Sequence, residues 1–184
     1  MITKRIIDEK GIDQTEDTVL VLGYFDGLHK GHQALFEKAR EIAVEEGLKI
    51  AVMTFPESPK LAFVRYQPEL MLHLASPEDR MAQLENLGVD YLYLIDFTSH
   101  VAGNTARDFF EKYVSRLRAK AVVAGFDYHF GSDRKESHEL RDYFNGKIVI
   151  VPSVNLDNRK ISSTRIRETI AVGDMLKTQE LLGY

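Results

Sequence analysis

Short apolar runs alternate along this chain with stretches whose apolar residues recur every three or four positions. Thr18 to Leu22 (TVLVL) is an unbroken apolar run ending at Gly23, which predicts a buried strand. From Gly31 to Glu46 the period changes: Leu35, Ala39, Ile42 and Ala43 share one helical face, and Gly47 ends the segment. Leu48 to Thr54 predicts a second strand. Ser76, followed by Pro77, Glu78 and Asp79, is a helix start: a capping hydroxyl, a proline in the first turn, then acids near the positive dipole end. That helix runs to about Leu87 and stops at Gly88.

The same alternation continues through the second half. Tyr91–Asp96, Ala121–Ala124 and Lys147–Val154 predict three more strands. Thr105–Leu117 predicts a helix with Phe109, Phe110, Tyr113 and Leu117 on its apolar side. His138–Phe144 predicts a short helix, and Thr164–Ala171 and Met175–Leu182 two helical pieces in the tail. Strands alternating with helices imply crossover connections, so the expected fold is α/β: a parallel five-stranded sheet with helices on both faces. In such sheets ligands sit beyond the carboxyl ends of the strands. The unusual residues fall in three loops expected there, 23–32, 54–60 and 125–134, and in the segment 159–167 just after the last strand.

Composition narrows the picture. A chain of 184 residues, 44% hydrophobic and 28% charged, suits one domain over 1–184, with a C-terminal helical segment at 162–184. A net charge of −4 offers no broad basic field, so nucleic acid is not the expected partner. There is no cysteine, which removes disulfides, thiolate metal sites and a thiol nucleophile. Met1 to Gly11 lacks the apolar core of a signal peptide, and no apolar run approaches the ~20 residues of a membrane span. The cytoplasm is the expected location.

Residues 23–33 read GYFDGLHKGHQ, with Gly23, Gly27 and Gly31 between a strand and a helix. Glycines let a backbone turn tightly and approach a ligand closely, and a helix start presents unpaired N–H groups that suit phosphate. Phe25 and Asp26 lie inside the turn, and His29 and His32 flank the helix start as donors for phosphate oxygens. The segment is neither a Walker A loop nor a GxGxxG fingerprint. A plain turn with surface histidines is the alternative. A zinc pair is a third reading, without the glutamate or third ligand of known zinc motifs. No metal-ligating residue is assigned; Asp26 suits turn stabilisation as well as a cation.

Residues 161–167 read ISSTRIR. Ser162, Ser163 and Thr164 are hydroxyls at a helix start, followed by Arg165 and Arg167. Arginine there runs against the dipole preference, and a bound polyphosphate explains the placement. A capped surface helix is the alternative. Residues 124–134 read AGFDYHFGSDR, in which Phe126, Tyr128 and Phe130 suit ring stacking or loop packing, and Asp127 suits a ribose hydroxyl or ligand amine. His73, His100, His129 and His138 are expected to be structural or surface residues.

These segments together resemble the adenylyltransferase module of bacterial bifunctional riboflavin kinase/FAD synthetases, within the HxGH nucleotidyltransferase superfamily. GYFDGLHKGH and ISSTRIR carry the resemblance, which runs from the first strand to Leu182 and Gly183. It implies a Rossmann-like nucleotidyltransferase fold and the reaction ATP + FMN → FAD + pyrophosphate, with Mg²⁺ accompanying ATP. It assigns catalysis to His29, His32 and Arg165. It gives ATP and phosphate binding to Gly23, Phe25, Asp26, Gly27, Gly31, Ser162, Ser163, Thr164 and Arg167, and FMN binding to Phe55, Pro59, Asp127, Tyr128, Phe130 and Arg134. The family's Thr-Phe-Asp-Pro-His-Pro is here TFPESP, so Pro56, Glu57 and Ser58 depart from it, and Glu136 stands where glycine is common. No run of strands suggests a flavokinase barrel, so adenylyl transfer alone is expected, with a riboflavin kinase as a candidate partner supplying FMN. The same chemistry on another phosphorylated acceptor, or a non-catalytic flavin or nucleotide sensor, are the rival readings.

Overall fold

The computed structural model describes residues 1–58 and 73–184. In chain order the first half runs β1 (Ile2–Ile6), β2 (Thr18–Leu22), α1 (Lys30–Glu46), β3 (Lys49–Thr54), α2 (Pro77–Asn86), β4 (Tyr91–Ile95), α3 (Ser99–Ala102) and α4 (Ala106–Phe109). The second half adds β5 (Ala119–Gly125), β6 (His129–Phe130), β7 (Lys135–Glu136), β8 (Lys147–Val151), β9 (Asn155–Leu156), β10 (Arg159–Lys160), α5 (Ser163–Ala171) and α6 (Met175–Leu182). Among the described residues the main sheet has the order β1-β4-β3-β2-β5-β8, every pair parallel.

The sheet therefore has six strands where the sequence pattern predicts five. The added edge strand, β1, pairs with β4 from Ile2 opposite Tyr91 to Ile6 opposite Ile95. Only its last residue, Ile6, is buried, so it has no apolar run to announce it. Strand β2 is the opposite case. All five of its residues are buried, because both its faces are covered. Val19 and Val21 pack with Phe36, Ala39 and Ile42 of α1. Leu20 and Leu22 pack on the other face with Tyr93, Phe110, Tyr113 and Leu117.

Local chemistry sets the helix ends. Ser76 caps α2 by accepting the Asp79 N–H at 3.0 Å, and Gly47 closes α1 at φ 67°, its N–H bonded to the Ala43 carbonyl. The single helix predicted over 105–117 is α4, entered through a Thr105–Asp108 capping box, which widens into a π-helical turn at Phe110–Val114. The short helix predicted at 138–144 is a 3₁₀ helix over Ser137–Asp142. The tail folds back on itself: Ile161, Ile166 and Leu181 form their own small core.

From β2 the chain proceeds outward to β3 and β4, then returns across to β5 and β8 on the other side. The order reverses between β2 and β5. Their carboxyl ends diverge there, and in open α/β sheets that crevice is where ligands bind.

Candidate active site

A cavity of about 780 Å³ opens over this reversal point. Its walls come from the turn after β2, the loops after β3, β4 and β5, the segment after β8, and the start of α5. Residues 100 positions or more apart in sequence therefore meet over one sheet edge.

The turn after β2 is a tightly strained piece of backbone. Phe25 adopts φ 59° and Leu28 φ 37°, left-handed values that cost a non-glycine residue on the order of 1–2 kcal/mol each. Packing holds them there: both side chains are 1% exposed in the core beneath α1. A Cβ on Gly23 would lie 2.6 Å from the Phe25 ring, and one on Gly31 would lie 3.1 Å from the His29 ring. Close approach thus forbids a side chain at Gly23 unless the Phe25 ring shifts, and leaves a tight contact at Gly31. Asp26 is buried and accepts the Leu74 N–H at 2.9 Å, and its other oxygen pairs with Arg167. It fixes the turn to the segment after residue 73 and to α5.

His29 and His32 stack with ring centroids 3.7 Å apart and planes 14° apart. The His29 Nδ1 caps α1 by accepting the His32 N–H at 3.3 Å. A neutral His29 therefore carries its proton on Nε2, as a donor. Burial pushes its pKa down to about 4, with Lys160 acting in the same direction. Burial also holds His32 well below its ordinary value, assisted by His29 and Lys160. The His32 Nδ1 is buried with no hydrogen-bond partner among the described residues. Burial is the main reason the two imidazoles are neutral, and a nearby anion would act against it by favouring their protonated forms.

The start of α5 lies opposite. Ser162 caps it by accepting the Arg165 N–H at 3.2 Å, and Ser163 Oγ donates to the Asp26 carbonyl at 3.1 Å. Ser162, Ser163, Thr164 and Arg167 all line the cavity. Arg165 does not, and here the structure departs from the expectation of a catalytic arginine. Its guanidinium is buried on the other side of α5, where it donates to the Leu156 carbonyl at 2.9 Å and the Arg159 carbonyl at 2.7 Å. It clamps the β9–β10 hairpin. Gly27 also lies outside the cavity wall; its carbonyl accepts the Tyr184 hydroxyl at 2.9 Å.

The other end of the cavity is aromatic. Phe55 meets Phe97 edge-on at 5.1 Å, and Tyr128 stacks parallel to Phe130 at 6.1 Å. Phe130 is 4% exposed and packs against Phe109, Phe110 and Tyr143, so it serves the core as well as the wall. Asp127 and Arg134 line the cavity too. Pro59, expected in the FMN group, lies outside the described residues. The departures at 56–58 have local partners. Arg80 donates to the Phe55 and Pro56 carbonyls at 3.0 and 3.3 Å, Glu57 pairs with His73, and Ser58 is buried at the cavity wall. Glu136 replaces a common glycine but caps the 3₁₀ helix at 137–142 through a reciprocal bond with Glu139.

Sequence reasoning missed Lys160. It lines the cavity, pairs with Asp127 and sits 4.5 Å from the Phe126 ring centroid. Its signal was its place directly before ISSTRIR. Arg80 was missed as well: a buried charge on the inward stripe of α2, four residues before buried Leu84. Of the remaining histidines, His129 lines the cavity, which the sequence reading did not expect, and the other three lie away from its wall. His73 bridges Tyr24 and Glu57, His100 pairs with Glu9, His138 with Glu136, and His129 bonds the Asp127 carbonyl.

A doubly wound parallel sheet with paired histidines facing a hydroxyl-rich helix start defines a nucleotide-handling domain of the nucleotidyltransferase class. Comparison with known proteins makes this specific: residues 11–165 match the family model described as FAD synthetase, and the chain belongs to that family. It is 36% identical over 169 residues to the bifunctional riboflavin kinase/FMN adenylyltransferase of Listeria monocytogenes, covering 90% of this chain and 54% of that protein. A FAD synthetase of the same organism is 31% identical, covering 90% of this chain and 68% of that one. The chain thus spans about half the length of the bifunctional relatives it matches. A solved Streptococcus pneumoniae structure described as a macrolide-efflux protein superposes with a TM-score of 0.95 at 49% identity, over 100% of this chain and 62% of that one. Among the described residues of the present chain, no helix is long and apolar enough to cross a membrane.

Proposed function

We propose that this domain transfers the adenylyl group of ATP to FMN, giving FAD and pyrophosphate. One observation carries the reading: a single cavity joins a phosphate-sized polar end at His29, His32, Ser163, Thr164 and Arg167 to an aromatic end at Phe55, Phe97 and Tyr128. A mononucleotide with a flat ring and a phosphate tail fits such a bipartite site, with its phosphate directed at the bound triphosphate.

The chemistry asks little of a base. A phosphate oxygen of FMN attacks the α-phosphorus in line; the new P–O bond forms as the bond to the β-phosphate bridge breaks, and pyrophosphate leaves. Positioning and charge stabilisation supply most of the catalysis. The Nε2–H of His29 and the His32 ring bind α- and β-phosphate oxygens. Ser163, Thr164 and Arg167 hold the departing pyrophosphate. For Arg167 to do so, the triphosphate must displace or share its partner Asp26. Lys160 steers the anions from above the Phe126 ring. Arg165 acts indirectly, by fixing the hairpin that carries Lys160.

Magnesium enters as part of the substrate. The cavity carboxylates Asp26 and Asp127 are paired with Arg167 and Lys160, and no group of three or more metal-ligating side chains occurs among the described residues. That donor set suits an ion held by triphosphate oxygens and water. A riboflavin kinase activity is the proposed source of FMN.

A panel of acceptors and nucleotides tests the assignment. FMN, phosphopantetheine and nicotinamide mononucleotide are each offered with ATP or CTP, and pyrophosphate release is followed. Release confined to FMN with ATP supports the proposal. Release with another acceptor replaces it, and tight FMN binding without release makes the domain a sensor.

A further inference from the structure

The histidine turn is fastened by side chains from outside the cavity wall. Three of its consecutive carbonyls each accept a side-chain hydrogen bond. The Asp26 carbonyl accepts from Ser163 Oγ at 3.1 Å, the Gly27 carbonyl from the Tyr184 hydroxyl at 2.9 Å, and the Leu28 carbonyl from Gln33 Nε2 at 2.9 Å. The same Gln33 nitrogen donates a second bond, also of 2.9 Å, to the Leu182 carbonyl at the end of α6. Two of the three donors thus belong to the tail, and the third is shared with it. Gly183 ends α6 at φ 88°, a left-handed value that suits glycine and turns the chain so that Tyr184 reaches Gly27. Ser163 lines the cavity, whereas Gln33 and Tyr184 do not.

The backbone of the turn explains why such fastening matters. Phe25, Gly27 and Leu28 have φ 59°, 74° and 37°, so the turn departs from ordinary backbone at three of four successive residues. Burial holds the Phe25 and Leu28 side chains, but the peptide plane between Leu28 and His29 is fixed by what its carbonyl bonds. That partner is Gln33, five residues on. The bond closes a ring around the segment carrying both histidines: His29 directly follows the bonded carbonyl, and His32 directly precedes the bonded side chain. The 3.7 Å stacking of the two imidazoles sits inside this ring. The tail is a firm anchor for it, because Ile161, Ile166 and Leu181 give the tail its own small core. We propose that Gln33 and Tyr184 are positioning residues for adenylyl transfer, tying the histidine turn to the carboxyl end of α6 so that the tail sets where His29 and His32 meet the triphosphate. This rests on the reading of that turn as the triphosphate grip.

The test uses Gln33→Met, which keeps the length of the side chain and removes both donated bonds, and Tyr184→Phe, which removes one. Tyr93→Phe serves as the control: it loses a buried bond to Gln14 of 2.7 Å, off the cavity wall, and reports what lost stability alone does. Adenylyl transfer to FMN is measured well below the Tm of every protein, alongside Tm and the NMR resonances of the histidine imidazoles. The inference predicts kcat lowered about 10-fold in Gln33→Met, short of the roughly 10²-fold that a misplacement of about 1 Å can cost, and lowered less in Tyr184→Phe. It predicts an unchanged KM for FMN and shifted His29 and His32 resonances in both variants, whereas Tyr93→Phe loses Tm and keeps kcat and those resonances. Wild-type kcat in Gln33→Met and Tyr184→Phe, with Tm lowered, overturns the inference and makes the bonds purely structural. A rise in KM for FMN as large as the fall in kcat also overturns it, because the effect then extends beyond the histidine turn. Wild-type protein that transfers nothing to FMN overturns the FMN reading; the inference is then decided by the histidine resonances, and unshifted resonances in both variants overturn it.

Discussion

The two ends of the cavity are built on opposite principles. At the proposed phosphate end the groups come from turns and helix starts, and their contacts are mostly with each other: the stacked histidines, the Ser162 cap, the Asp26–Arg167 pair. At the aromatic end the wall is the protein's own core, with Phe130 buried against Phe110 and Tyr143 and Phe109 stacked on Tyr113. A phosphate site can be made of loop residues because hydrogen bonds are directional and few. A flat-ring site needs area, and area comes from side chains that also hold the fold together. Substitutions at the first end should therefore fall mainly on turnover, whereas substitutions at the second should affect turnover and stability alike.

The largest effect is expected at the histidine pair. His32→Ala should lower kcat roughly 10²–10³-fold, the loss typical of one preorganised charge-stabilising contact, with FMN affinity retained. Unchanged turnover in steady-state assays would remove His32 from the mechanism. The two arginines of α5 sharpen the contrast within a single turn. Arg167→Ala should weaken ATP binding about 10-fold, as expected for one charge-assisted contact, and lower Tm as well, because buried Asp26 loses its cationic partner. Arg165→Ala should lower stability by about 1–3 kcal/mol, because two hairpin carbonyls lose their buried donor. Equal effects on ATP affinity would erase the distinction.

A smaller effect separates the states of the histidines. With its pKa lowered to about 4, His29 is neutral in the empty site at pH 7. Below about pH 6.5 the unfolded chain takes up a proton that the folded site refuses, so unliganded stability falls progressively as pH drops from about 6.5 toward 4. Triphosphate raises the histidine pKa values, so nucleotide binding should take up a fraction of a proton near pH 6. Calorimetry in buffers of different ionisation enthalpy measures this uptake. Heat independent of buffer would mean that both rings stay neutral throughout. The smallest effect is expected from Tyr128→Leu, which should raise KM for FMN a few-fold through lost stacking and lower Tm slightly, leaving KM for ATP unchanged.

The same contrast governs what the sequence reveals. GYFDGLHKGH and ISSTRIR are legible because phosphate binding requires particular residue types at a strand-to-helix turn and at a helix start, so the chemistry is written locally. The buried strands β2 to β5 are legible because each is an apolar run. Strand β1 was not, since an edge strand of Thr, Lys and Arg needs only Ile6 to anchor it. Arg165 was expected at the ligand, but its guanidinium is buried against the β9–β10 hairpin: arginines two positions apart on a helix point in different directions, and only the packing of that hairpin decides which one lines the cavity. Tyr113 and Phe109 read as core positions at helical spacing, which they are. That they also border a cavity depends on where α4 sits over the sheet edge, and nothing local encodes that.

The central claim, that the histidine turn joins ATP to FMN within this one cavity, is tested most directly by incubating the protein with MgATP and FMN and separating the flavins by chromatography. The account predicts an FAD peak with matching pyrophosphate that is lost in the His32→Ala protein. Nucleotide binding with no FAD, or FAD formed undiminished by His32→Ala, would contradict it.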